Sequence, residues 1–181
     1  IFYYLINREF INLQILLKEY IMADNKNANN LTIENETRED NVFIKWNPLY
    51  DTKHKIIDEQ HKELVNIIND LYMSTIDHKA NKNEAFINAA KRCIEYADYH
   101  FKTEEKIMNI INYSDTENHK AMHREFYNEV INQVKNYQEG QPFIANKLVK
   151  YLKDWLLEHI AFRDKILVEE LMRVLKNREG K

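Results

Sequence analysis

The run NEAFINAAKRCIEYADYHFKTEEKIMNII, Asn83 to Ile111, contains neither Gly nor Pro, and its reading decides the fold. Ile87, Ala90, Cys93, Ile94, Ala97, Ile107 and Met108 recur in steps of three and four, the period of one buried helix face. His100 and Glu104 fall on that same face, one turn apart, with about 5–6 Å between their Cβ atoms. An imidazole above a carboxylate is half of a metal site. Alone the pair carries little weight, because chance supplies roughly 0.7 His-x-x-x-Glu pairs in a chain of this composition. What matters is whether other helices bring the missing half to the same interior.

They do. Ile57, His61, Leu64, Val65, Ile68, Leu71 and Tyr72 predict a helix from near Lys55–Asp58 to about Ser74, with His61 on its inner stripe. His119, Met122, His123, Phe126, Tyr127, Val130, Ile131 and Val134 mark another, from about Asp115 to Tyr137, with two His four apart on the apolar face. Gly140 closes that region, and Pro142 suits the first turn of a fourth helix that reaches Arg163 or beyond. Its inward residues are Ile144, Leu148, Tyr151, Leu152, Trp155, Leu156 and His159. Ile166 to Leu175 reads as a further helical stretch with Leu167, Leu171 and Val174 inward. Short connections make neighbours antiparallel, so the expected fold is all-α, an up-down-up-down four-helix bundle.

Composition agrees. Two Gly and two Pro in 181 residues leave few tight turns for a sheet-rich fold, and the length suits one domain with a continuous core. With 26 basic and 29 acidic side chains, a formal charge of −3 and no basic block, neither nucleic acid nor an anionic membrane is indicated as a partner. A monomer is expected. Cys93 is the sole cysteine, which excludes an internal disulfide and fits a reducing, cytoplasmic setting. Seven residues before His100, it reads as a small core residue.

The first 21 residues, IFYYLINREFINLQILLKEYI, are apolar and aromatic, but Arg8, Glu9, Lys18 and Glu19 spoil a membrane span. No basic start or small-residue cleavage site marks a secretory signal. Two readings stand: an amphipathic helix, or upstream sequence ahead of a start at Met22, since Lys18-Glu19 can be encoded as a ribosome-binding sequence. From Ala23 to about Asn41 the chain is polar and without period, a leader expected to be solvated and disordered. The expected division is thus leader 1–41, helical domain 42–176 and tail 177–181. Phe43 to Tyr50 is expected to form an N-terminal arm laid over the bundle, with Trp46 as its anchor.

The inward positions therefore hold His61, His100, Glu104, His119, His123 and His159. Each buried imidazole needs a polar partner or loses on the order of 1–3 kcal/mol, and one or two cations would supply that partner for all of them. Nitrogen and carboxylate donors without thiolate suit iron, and less specifically manganese, zinc or cobalt. Asp164 is a further candidate. Its five-residue step from His159 leaves it about 140° away on an ideal helix. Either a wide turn near Phe162 brings the carboxylate round, or Asp164 lies on the surface. With Asp164 included, two carboxylates could each bridge a pair of ions.

These residues resemble the bacterial hemerythrins. The likeness rests on Trp46, Ile57 to Lys62, His100-Phe101 with Glu104-Glu105 and Met108, His119 with His123, and Trp155 to Ile160 with Asp164. It covers roughly Phe43 to Ile166. Each spacing alone is weak, but all of them in the family's order on successive helices is strong. The resemblance implies that the His159 to Asp164 step is the family's own, and that the cofactor is two iron ions with an oxo or hydroxo bridge. It assigns His119, His123 and His159 to the saturated ion, His61 and His100 to the ion with a vacancy, and Glu104 and Asp164 to the bridge. Dioxygen is the implied ligand, carried reversibly, with an electron donor or an oxygen-consuming enzyme as a further partner. The alternatives are a di-iron enzyme or scavenger of oxygen, peroxide or nitric oxide, a sensor module acting with a separate partner, and a metal-free structural bundle. His54 and His78 match no motif position and are expected at the surface.

Overall fold

In the computed structural model, which describes residues 42–179, the first two helices begin where a side chain accepts from a free backbone N–H. Helix α1, Lys55–Ile76, is capped by His54, whose ring nitrogen accepts from the Ile57 N–H at 3.4 Å. Asp58 in its first turn accepts from the Thr52 N–H and hydroxyl at 2.8 and 2.7 Å, which ties the incoming chain to the helix start. Helix α2, Lys82–Ile111, is capped by Asn81, which accepts from the Glu84 N–H. It ends on Asn112 in the left-handed region, φ 53°, the conformation a helix C-terminus commonly takes.

Helix α3, Thr116–Gln138, is followed by Gly140 at φ 73°. Helix α4, Ile144–Trp155, starts two residues later than Pro142 suggests. Phe143 adopts φ 59° immediately before it, so helical backbone cannot begin until Ile144 and Pro142 stays outside. A π-helical segment, Leu156–Asp164, then leads without a break in helical backbone into helix α5, Lys165–Glu179. Residues 177–179, placed in the tail by the sequence, thus belong to α5.

Helix α1 packs against α2 and α4, and α3 packs against the same two, which closes an antiparallel four-helix bundle. The centre is filled by Leu64, Ile68, Phe86, Phe126, Leu148 and Leu152, all fully buried. At the end where α5 lies against α2, Ile57, Ile107, Met108, Leu167, Val168 and Leu171 form a second apolar cluster. The expected inner stripes of α1, α2 and α4 are buried except Tyr72 and Tyr151, which are half-buried. On α3 Met122, Tyr127 and Ile131 are half-buried as well, so its apolar stripe is narrower.

The arm is present, with a 3₁₀ turn at Pro48–Tyr50, but its anchor is Ile44 rather than Trp46. The Ile44 N–H donates to the Asn69 side-chain oxygen at 2.8 Å, and the Asn69 amide donates back to the Ile44 carbonyl at 2.9 Å. Trp46 remains half-buried, edge-on to Tyr50 at 5.7 Å, with the Lys62 ammonium 5.6 Å above its ring. A residue whose backbone polar groups are both satisfied can sit deep. The leader, including any start at Met22, lies outside the described residues. Among the described residues no helix is long and apolar enough to cross a membrane.

Cys93 is completely buried, and burial pushes its thiol up to about 12. The native protein at pH 8 should therefore resist a thiol-specific disulfide reagent, and one thiol per chain should react once denaturant is added. Immediate reaction of the folded protein would contradict this packing.

Candidate metal centre

Seven polar side chains meet in the middle of this apolar bundle, and none exposes more than 3% of its surface. Helix α1 contributes His61, α2 contributes His100 and Glu104, α3 contributes His119 and His123, and the π-helical segment contributes His159 and Asp164. The four-residue steps work because one α-helical turn returns to the same face. The five-residue step works because π-helical hydrogen bonds run from i to i+5, so five residues come close to completing a turn. Asp164 is fully buried, and the surface alternative is thereby excluded. The wide turn is longer than a single bulge near Phe162, since it occupies Leu156–Asp164.

The donor atoms face one another. Asp164 divides its two oxygens: Oδ2 lies 3.1 Å from His61 Nε2 and 3.5 Å from His100 Nε2, while Oδ1 lies 3.2 Å from His119 Nε2 and 3.1 Å from His159 Nε2. Glu104 Oε2 lies 3.0 Å from His123 Nε2, 3.3 Å from His119 Nε2 and 3.6 Å from His100 Nε2. The atoms fall into two groups that could each hold an ion, Glu104 with His119, His123 and His159, and His61 with His100 and Asp164. Within each group all ligand atoms lie within 4.8 Å of one another. His54 and His78 are in neither group; the first caps α1 and the second is exposed.

Protonation shows how this charge is balanced without metal. Burial and the neighbouring Asp164 push Glu104 up, but His100, His119 and His123 outweigh them and hold its carboxyl down at about 2. Asp164 is likewise held well below the usual carboxylate range, its burial overcome by His159, His100 and His119. Burial disfavours a charged His119, yet the adjoining Asp164 and Glu104 carboxylates raise it to about 9. His100 is also raised, the two carboxylates again prevailing over burial. At His123 burial wins and lowers the ring to about 4, and burial lowers His61 as well. Two ionised carboxylates thus persist in a dry interior.

A cation fits the atoms left over. His100 Nε2, His123 Nε2, His159 Nε2, Glu104 Oε1 and Asp164 Oδ1 are buried and have no hydrogen-bond partner, although all belong to the facing donor set. Their chemistry, five imidazoles and two carboxylates with no thiolate, suits iron.

Three aromatic rings stack on the imidazoles and keep the centre dry. Phe101 lies 3.7 Å from His123 at 5°, Trp155 lies 4.0 Å from His159 at 16°, and Tyr96 lies 5.0 Å from His100 at 20°. His100 also donates its Nδ1–H to the Gln60 side-chain carbonyl at 2.9 Å, which leaves Nε2 as the atom turned toward the carboxylates. Gln60 in turn donates to the Thr103 hydroxyl at 3.2 Å. Gln60 and Tyr96 have no part in the ligand set read from the sequence. The signal was available, since Gln60 lies three after Ile57 and four before Leu64, and Tyr96 lies three after Cys93 and four before His100.

Comparison with known proteins agrees with this geometry. The family described as "Hemerythrin HHE cation binding domain" matches residues 52–171. A "Hemerythrin-like protein" of Naegleria gruberi is 28% identical over 119 residues, covering 66% of this chain and 86% of its own. "Bacteriohemerythrin" of Methylococcus capsulatus is 30% identical over 110 residues, covering 60% of this chain and 81% of its own. A solved structure of wild-type hemerythrin superimposes with a TM-score of 0.62 at 26% identity, covering 71% of this chain and 98% of that one. With its four-helix bundle and its paired histidine and carboxylate clusters, this chain belongs to the hemerythrin family.

Proposed function

We propose that the protein binds dioxygen reversibly at a pair of iron ions held by the seven buried side chains. His119, His123 and His159 serve one ion and His61 and His100 the other, with Glu104 and Asp164 shared between them. The observation that carries this reading is the division of Asp164, one oxygen toward each group of imidazoles. Glu104 supports it too, with Oε2 beside His119 and His123 and a buried, unpartnered Oε1 for a second ion. His61 and His100 would hold their ion with one imidazole fewer than His119, His123 and His159 would give the other, which would leave room there for dioxygen.

A pair of ferrous ions held there would supply the two electrons that reversible dioxygen binding requires. The chain's part is to make that exchange reversible. Phe101, Trp155 and Tyr96 stack on three of the imidazoles and exclude the water that would displace a bound ligand. Gln60 fixes the His100 tautomer, so this ring presents Nε2 toward the carboxylates and to the ion it would hold.

The purified protein should contain two irons per chain. After anaerobic reduction and return to air it should develop a visible absorption that bleaches under vacuum over repeated cycles. Prompt, irreversible decay to the ferric state with consumption of reductant would instead indicate an oxidase or scavenger. Glu104→Ala should abolish the paired-iron absorption and His54→Ala should preserve it; equal spectra from the two variants would contradict the ligand assignment. Gln60→Leu should keep two irons at saturation but weaken their binding by about 10–100-fold, read by competition with a chelator. An unchanged affinity would remove Gln60 from the centre.

A further inference from the structure

Tyr96 carries a polar atom that the rest of the chain leaves unused. The residue is 5% exposed, and its hydroxyl is buried with no hydrogen-bond partner. Its ring stacks on His100, with centroids 5.0 Å apart at 20°, and lies edge-on to Phe101 and Phe126 at 6.4 and 6.3 Å. A phenylalanine ring would stack on the imidazole and exclude water equally well. Within the metal-free fold the hydroxyl is therefore only destabilising, since it gives up hydration and gains no acceptor.

Position narrows what the hydroxyl serves. Tyr96 and Glu104 stand one turn before and one turn after His100 on α2, so they flank that imidazole along one face. Of the three aromatic rings stacked on imidazoles, Phe101 and Trp155 cover His123 and His159, whereas Tyr96 covers His100, a member of the group with only two imidazoles. Both buried carboxylates act electrostatically on the Tyr96 phenol, which places it in the same enclosed interior. Solvent does not reach it from outside. A cleft of about 710 Å³ between α1 and α2 is lined by Gln60 and Tyr96, yet the hydroxyl itself is buried. An acceptor must arrive inside the bundle, on the side of His61 and His100.

We propose that the Tyr96 hydroxyl donates a hydrogen bond to the small ligand held at the ion of His61 and His100, and thereby raises the affinity for that ligand. Dioxygen as the ligand rests on the function proposed above; the donor rests on the unpartnered hydroxyl. Dioxygen that draws electron density from the centre becomes negative, and a hydrogen bond to a charged acceptor is roughly twice as strong as one to a neutral acceptor. The unliganded site offers the hydroxyl no acceptor, so the bond strengthens the liganded state alone and appears in full as affinity. The O–H bond stays intact throughout, since the phenol holds the ligand and transfers no proton. A small anion such as azide, seated at the same ion, gains the same donor.

Azide added to the ferric protein is the direct probe, because its infrared stretching band reports hydrogen bonds to it. In the native protein the band should shift when H₂O is exchanged for D₂O, and the shift should be lost in Tyr96→Phe, which keeps the stacked ring and removes only the O–H. Azide affinity should fall about tenfold in that variant, and dioxygen affinity with it. Tyr99→Phe, altered at an exposed residue of the same helix, should bind both as the native chain does. The metal-free Tyr96→Phe protein should melt no lower than the metal-free native protein, because it loses a hydroxyl that has no partner there. A native azide band indifferent to D₂O, equal azide affinity in Tyr96→Phe, or a lower melting temperature of the metal-free variant would overturn the donor. So would a tyrosinate-to-iron absorption band that disappears in Tyr96→Phe, since it would put the phenol oxygen on the ion itself. A protein that binds azide but does not release dioxygen reversibly would defeat the function proposed above, while the azide measurements still decide the part played by Tyr96.

Discussion

Two ionised carboxylates buried among five imidazoles are the constraint on which the rest of this structure depends. Removing one such ion from water costs several kcal/mol even after relaxation, and the cost is offset only where the surroundings supply opposite charge and hydrogen bonds. In the absence of metal that compensation comes from His100 and His119, both held toward the protonated form by Glu104 and Asp164. Five donor atoms of the cluster still find no partner. Protons on His100 and His119 can match the two negative charges, but they leave these donor atoms unpartnered, and bound cations would satisfy them.

Bringing both carboxylates to one point demands an irregular backbone. Four-residue spacing suffices for His100 with Glu104 and for His119 with His123, but the fourth rod must deliver His159 and Asp164 five apart. The π-helical segment achieves this, and it is flanked by supports. Leu156 and Ile160 are fully buried within it, and the 3₁₀ turn of the arm packs against it. Helix α5 continues from it and closes its own apolar cluster against Ile57, Ile107 and Met108. Each support holds a helical form rarely stable by itself.

Much of this is legible in the amino-acid sequence because it depends on period. The inner stripes of α1, α2 and α4, the bundle topology and the inward direction of the histidines follow from three- and four-residue spacing. Asp164 does not, since no ideal helix puts it beside His159; only the likeness to a known family favoured it before the structure did. Spacing also misses interactions with the backbone. Trp46 is larger than Ile44, yet Ile44 goes deeper because Asn69 satisfies both its backbone groups. Pro142 fits a helix start in principle, but the left-handed turn at Phe143 delays that start. Gln60 and Tyr96 carry the helical period too, but their roles lie in what they touch on another element, which one-helix patterning does not report.

Iron-edge X-ray absorption on the reduced and re-oxygenated protein tests the central claim most directly. The account predicts a metal–metal scattering shell at about 3.5 Å, within the range of carboxylate-bridged pairs, together with imidazole and oxygen ligation and two irons per chain. A single iron per chain, or two irons with no metal–metal shell, would contradict it.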